Sequence, residues 1–197
     1  MPGASTNLHA RPFTVTRQAR ERLNGHAGRA LWLTGLSGAG KSTIANALEA
    51  ALHAQGRRTY LLDGDHLRHG LNRDLGFGAA DRSENIRRVA EVARLFADAG
   101  TIVIAAFISP LRAQRDAARA LFAPGDFLEV FVDAPLAVAE ARDPKGLYRK
   151  ARSGLLPDFT GISAPYEPPL APDLILPTHE WPLDQCVARL LALLDAA

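Results

Sequence analysis

Cysteine is nearly missing from this 197-residue sequence: Cys186 stands alone, so no disulfide can close within the chain, and a reducing cytoplasm is the expected compartment. Long apolar runs are missing as well. The best, residues 101–108, is strand length and far short of the roughly 18 residues a membrane span needs, so no membrane partner is expected. The first 30 residues hold Arg11, Arg17, Arg20, Arg22 and Arg29 and no apolar block, so no secretory leader is expected either. Aromatic residues are sparse at 7% and do not interleave with the basic clusters, which argues against a nucleic-acid groove. Internal repeats and low-complexity linkers are also lacking.

What remains is an ordinary globular composition, 47% hydrophobic, in a length that suits one domain or one domain plus a short appendage. The formal charge is only +2, but the cations are unevenly placed and mostly arginine, whose fork suits planar oxyanions. One cluster lies in residues 1–29; the other comprises Arg142, Lys145, Arg149, Lys150 and Arg152. A solvated face is the ordinary explanation of such clusters. Residues 1–13 have no periodicity and read as a loose tail, and residues 16–23 as a short helix ended by Asn24-Gly25. Residues 1–27 are therefore taken as a partly flexible extension and residues 28–197 as the folded domain. From residue 30 onward, short apolar runs alternate with amphipathic ones. Strands are expected at 30–34, 58–62, 101–107, 127–132 and 173–176, and helices at 41–55, 83–99, 111–122, 135–142 and 183–194. This alternation predicts an α/β fold of three layers, with a central parallel sheet of about five strands.

The strongest chemical signal is GLSGAGKS, from Gly35 to Ser42, a full match to G-x-x-x-x-G-K-[ST] placed between a strand and a helix. Gly35, Gly38 and Gly40 let backbone N–H groups turn inward as an anion nest, and the following helix aims its positive end at the same point. Lys41 would bridge the β- and γ-phosphates of a nucleoside triphosphate, and the Ser42 hydroxyl would ligate Mg²⁺. Ser37, Ala39 and Thr43 complete the candidate ATP-binding stretch. None of the lysines, Lys41, Lys145 and Lys150, stands two residues before an aspartate, as guanine recognition in a regulatory GTPase would require. A small-molecule kinase fits better. The second strand then delivers Asp63 and Asp65, two apart across Gly64, at the carboxyl end of a parallel sheet, where ligands bind. One carboxylate can serve the metal, and the other can accept a hydroxyl proton; Asp65 could equally be a plain helix N-cap.

Taken in order, GLSGAGKST, DGDHLRHGLN, LGFGAADRSENIRR, FISP, RDPKGLY and FTGISAPYEPP resemble adenylyl-sulfate kinase over residues 14–192. The P-loop is widespread, whereas the second, third and fifth segments are specific. The resemblance implies a P-loop NTPase fold and transfer of the ATP γ-phosphate to the 3′-hydroxyl of adenosine 5′-phosphosulfate (APS), with Mg²⁺. It also implies a homodimer and leaves open an association with an ATP sulfurylase. It places Asp65 as base for the 3′-hydroxyl and Asp63 with metal and phosphates. Arg68, Arg82 and Asn85 fall where the acceptor's phosphosulfate and ribose are held, and Phe77 and Phe159 where its adenine is sandwiched. By composition alone, each phenylalanine could as well be core.

Ser109, in FISP, ends the third strand and is read as a ligand of the reacting phosphates, with a transient phosphoserine and an N-cap after Pro110 as alternatives. Residues 142–172 combine cations with many Gly and Pro, leaving little room for regular structure, and read as a lid whose Lys145 and Arg149 neutralise charge. Departures from the family pattern are His66, Ala106, Leu111, Ala137, Ala139 and the Pro177-Thr178-His179 loop near the expected ATP adenine. None removes a phosphate, metal or acceptor group. The competing expectation is another P-loop kinase of nucleoside or gluconate type.

Overall fold

The computed structural model describes residue 11 and residues 13–196; the loose tail expected at residues 1–13 lies outside the described residues except for Arg11 and Phe13. Five strands, β1 (Arg29–Thr34), β2 (Thr59–Asp63), β3 (Ile102–Ala106), β4 (Phe127–Asp133) and β5 (Leu174–Pro177), form one parallel sheet in the order β2-β3-β1-β4-β5. The apolar runs were readable as strands because a parallel sheet is covered on both faces. Alternate residues serve opposite layers. Leu31, Leu33, Ile104, Val130 and Leu176 pack with α2 (Lys41–Ala54) and α8 (Leu183–Ala196). Ala30, Trp32, Val103 and Phe127 pack with α4 (Ala79–Asp98) and α5 (Arg112–Arg119). Each fully buried leucine in these layers contributes about 1.5–3 kcal/mol relative to an exposed one.

The chain leaves β1 for one face and β3 for the other, although these strands are neighbours. Their carboxyl ends therefore flank a switch point, the place where open α/β sheets bind ligands.

Helix α1 (Arg17–Asn24) begins at Thr16, whose hydroxyl accepts from the Ala19 amide at 3.2 Å. It is pinned to the sheet's opposite end: Arg17 forms an ion pair with Asp126 and donates to Gly28 O at 2.8 Å, and Asn24 donates to Gly100 O at 2.8 Å.

Two helices were not anticipated. The first, α3 (Gly64–His69), starts at Asp63, whose carboxylate accepts from the Asp65 amide at 3.0 Å. Asp63, not Asp65, is thus the capping residue. The second, α7 (Leu147–Arg152), lies inside the segment expected to be irregular and follows α6 (Leu136–Arg142). The two carboxylate oxygens of Asp143 accept from the Tyr148 and Arg149 amides, which lets a run of cations close a helical turn.

Candidate active site

The loop from Gly35 to Gly40 leaves the end of β1 and enters α2. Gly35 has φ 154°, and a Cβ there would stand 2.4 Å from the Val132 carbonyl oxygen; at Gly38, φ is 74° and a Cβ would meet Ala139 O at 2.8 Å. Any side chain at either position would displace the loop from its neighbours. Lys41 is buried and donates from Nζ to Gly35 O at 2.9 Å and Leu36 O at 2.7 Å, folding back over its own loop. Burial, reinforced by nearby Lys145, pulls its pKa down to about 7 against the opposing pull of Asp63 and Asp65. Phosphates favour the ammonium form, so triphosphate binding should raise that pKa and take up a proton wherever the free amine is neutral. Calorimetry of MgATP binding in buffers of differing ionisation enthalpy should therefore find uptake of most of one proton near pH 8 and almost none near pH 6. A proton count independent of pH would contradict this.

Ser42 and Asp63 meet directly: the Ser42 hydroxyl donates to Asp63 Oδ2 at 2.6 Å, joining the first turn of α2 to the end of β2. Two hard oxygens beside a phosphate nest are a donor set that fits Mg²⁺, which takes most of its ligands from phosphates and water. Asp65, in the first turn of α3, is exposed and forms an ion pair with Lys145 from the segment between α6 and α7. His66 is exposed, its Nδ1 lying 3.7 Å from Asp63 Oδ1. The structure thus brings Lys41, Ser42, Asp63, Asp65 and Lys145 into one cluster.

A second set of site residues lies on α3, on α4 and in the segment between them. Arg68 lies over the Phe77 ring at 4.2 Å and donates to Leu75 O at 3.2 Å and Gly76 O at 2.9 Å. Burial first, then the neighbouring Arg82 cation, lowers its pKa. Arg82 donates to Thr160 Oγ1 at 3.1 Å and to the Asp158 carbonyl, so it reaches the 142–172 segment. Asn85 is buried and accepts from Asn72 Nδ2 at 3.0 Å.

Other site residues are not gathered in this way. Phe159 is buried, its ring edge-on to Tyr148 at 5.0 Å, while Phe77 is exposed beneath Arg68, so the two rings have different partners. The Ser109 hydroxyl accepts from Trp32 Nε1 at 3.1 Å and is buried, turned toward the aromatic layer of Trp32, Phe107 and Phe127. Ser109 does not cap α5; the cap is Leu111, with no side-chain bond. The Ser109 φ of 37° is a left-handed conformation costing a non-glycine residue about 1–3 kcal/mol, which the surroundings must offset.

Four residues given no catalytic or binding role from the sequence tie the site together. Tyr148 donates its hydroxyl to Ser37 O at 2.9 Å, and burial pushes its pKa up to about 12, so it stays a donor at neutral pH. Thr178 donates to Ala39 O at 2.8 Å, and Arg142 donates to Thr178 O at 2.6 Å, linking the P-loop to the loop after β5. Thr34 donates to Ile108 O at 2.8 Å. The final Tyr of RDPKGLY was the available signal for the first of these, an aromatic residue in a segment otherwise rich in cations.

A parallel sheet with a P-loop at its switch point, a hydroxyl–carboxylate pair beside it and the arginines Arg68 and Arg82 on the adjoining helices define a small-molecule phosphotransferase. Comparison with known proteins narrows the class. The model of the family described as "Adenylylsulphate kinase" matches residues 27–177, and the chain belongs to that family. It is 62% identical over 170 residues to an adenylyl-sulfate kinase of Yersinia pestis, covering 86% of this chain and 80% of that one. It is 57% identical over 190 residues to the bifunctional enzyme CysN/CysC of Xylella fastidiosa, covering 96% of this chain but 30% of that longer protein. Among solved structures, the Mycobacterium tuberculosis APS kinase CysC in complex with AMPPNP and APS superposes with a TM-score of 0.83 at 50% identity, covering 86% of this chain and 98% of that one.

Proposed function

We infer that this chain is an ATP-dependent kinase that transfers the γ-phosphoryl group of ATP to the 3′-hydroxyl of adenosine 5′-phosphosulfate, releasing ADP and the 3′-phosphorylated nucleotide (PAPS). The observation that carries the reading is the meeting of Lys41, Ser42, Asp63, Asp65 and Lys145 at the strand ends, with Arg68 and Arg82 on the adjoining helices α3 and α4. Lys41 and the P-loop amides from Gly35 to Thr43 hold the donor phosphates. Asp65 accepts the proton of the attacking hydroxyl, and Lys145 neutralises charge that develops on the transferred group. Arg68, Arg82 and Asn85 hold the acceptor's anhydride and ribose, for which forked donors are suited. Ser42 and Asp63 would hold Mg²⁺, which supplies charge neutralisation on the donor phosphates. Phe77 and Phe159 flank the acceptor base once the 142–172 lid has closed, a rearrangement from the separate partners they have here. For Ser109 to act as a ligand of the reacting phosphates, its hydroxyl would have to turn away from Trp32, the partner it has here.

We further propose residues 28–197 as the catalytic unit, a homodimeric assembly, and a place in a reducing cytoplasm, in keeping with the single buried thiol at Cys186. Among the described residues no helix is long and apolar enough to cross a membrane. The longer bifunctional relative supports association with a second activity, for which an ATP sulfurylase is the proposed source. An uncharged nucleoside gives the Arg68 and Arg82 guanidiniums no task, and gluconate offers them a single carboxylate in place of a phosphosulfate anhydride. The test is ADP release measured with APS against a panel of nucleosides, nucleoside monophosphates and gluconate. Release with APS alone is expected; equal release with an uncharged acceptor would overturn the assignment.

A further inference from the structure

Arg115 takes no part in the contacts described so far, yet its side chain is 2% exposed and its guanidinium joins three separate parts of the fold. Nε donates to Glu129 Oε1 on β4 at 2.6 Å, Nη1 to Ser109 O at 2.7 Å, and Nη2 to Glu167 O at 2.7 Å. The first bond compensates the buried charge. The other two reach main-chain atoms at functional places. Ser109 forms the left-handed turn at the end of β3, held from the other side by Thr34, the residue before Gly35. Glu167 lies where the 142–172 segment returns to the domain, its amide donating to Pro110 O at 2.8 Å and its carboxylate accepting from the Arg112 amide at 2.8 Å. Tyr166, one residue earlier, stacks on Phe131 and lies 3.0 Å from the Thr34 hydroxyl. A planar fork with fixed angles sets the spacing between its acceptors, which an ammonium on a flexible stem does not.

We propose that Arg115 is a positioning residue for phosphoryl transfer, fixing the turn beside the P-loop and the far anchor of the lid relative to one another. It touches neither nucleotide. Its effect falls on the acceptor, because the acceptor is the substrate the lid covers; this rests on reading residues 142–172 as the lid. Displacing a lid anchor by about 1 Å can cost on the order of 10²-fold in rate.

The test compares wild type with Arg115→Lys, which keeps a cation for Glu129 but lacks the fork. Steady-state kinetics should show kcat/KM for APS reduced by about 10-fold or more, with the MgATP Kd within about twofold of wild type. Hydrogen exchange should rise at the amides around Glu167 and not in α2. Should Arg115→Lys fail to accumulate as folded protein, the double variant Arg115→Gln/Glu129→Gln, which leaves no charge of the pair buried, takes its place with the same expectation. Glu129→Gln alone retains both carbonyl bonds and should keep APS kinetics near wild type while lowering Tm. Unchanged APS kinetics in the variants lacking the fork, or equal losses of APS and MgATP affinity, would overturn the proposal. The exchange measurement separates the two ideas: a wild-type protein inactive with APS would count against the function, whereas unchanged exchange at Glu167 would count against Arg115 alone.

Discussion

Asp65→Asn should reduce kcat for APS-dependent ADP release by about 10²–10⁴-fold, the range expected when a positioned proton acceptor is removed. MgATP binding should survive, because the P-loop, Lys41 and the Ser42–Asp63 contact do not depend on Asp65. Folding should survive as well. The carboxylate that caps α3 belongs to Asp63, and Asp65 contributes to that cap only its amide, which asparagine retains. A substituted enzyme with unchanged kcat would remove Asp65 from the chemistry. One with lost MgATP binding would instead make it part of the donor site.

Lys145→Ala should lower kcat by about 10²–10³-fold, as loss of one preorganised charge beside the transferring group does. The accompanying change in stability should stay within about 1 kcal/mol, because its ion pair with Asp65 is formed between two exposed side chains. The position of that pair explains the contrast. The lysine rests on the carboxylate proposed as the proton acceptor, and on that proposal productive binding draws the ammonium toward the phosphates and frees the base. Urea unfolding and single-turnover kinetics on the same preparation measure both quantities. A loss of stability matching the loss of rate would make Lys145 a structural residue.

Much of this architecture was legible because it rests on long-range apolar patterning and one strict motif. The five strands are nearly continuous apolar runs, and the P-loop needs glycine where Val132 O and Ala139 O approach closely. Boundaries slipped where local polar contacts decide them: α4 begins at Ala79, four residues before the periodic pattern starts, and α3 and α7 are six-residue helices built on Asp63 and Asp143 carboxylates. Side-chain direction was the least legible property. Ser109 sits at the expected strand end, but a buried indole N–H needs an acceptor, and Trp32 takes its hydroxyl. Phe159 lies in the core beside Tyr148, while Phe77 stays outside. Arg115 did leave a trace. Leu111, Arg115, Ala118 and Phe122 fall on one helical stripe, so an arginine occupies an apolar position, and such a cation must be buried with partners.

The central claim is that both nucleotides share one crevice and that the terminal phosphoryl group of ATP passes to the acceptor's 3′-oxygen. The most direct measurement is to incubate the protein with APS and ATP labelled at the γ-phosphorus, isolate the nucleotide product and treat it with a 3′-nucleotidase. Label should enter the sulfated nucleotide and be released by the nucleotidase. Label found only in inorganic phosphate, or retained in the nucleotide after that treatment, would contradict the account.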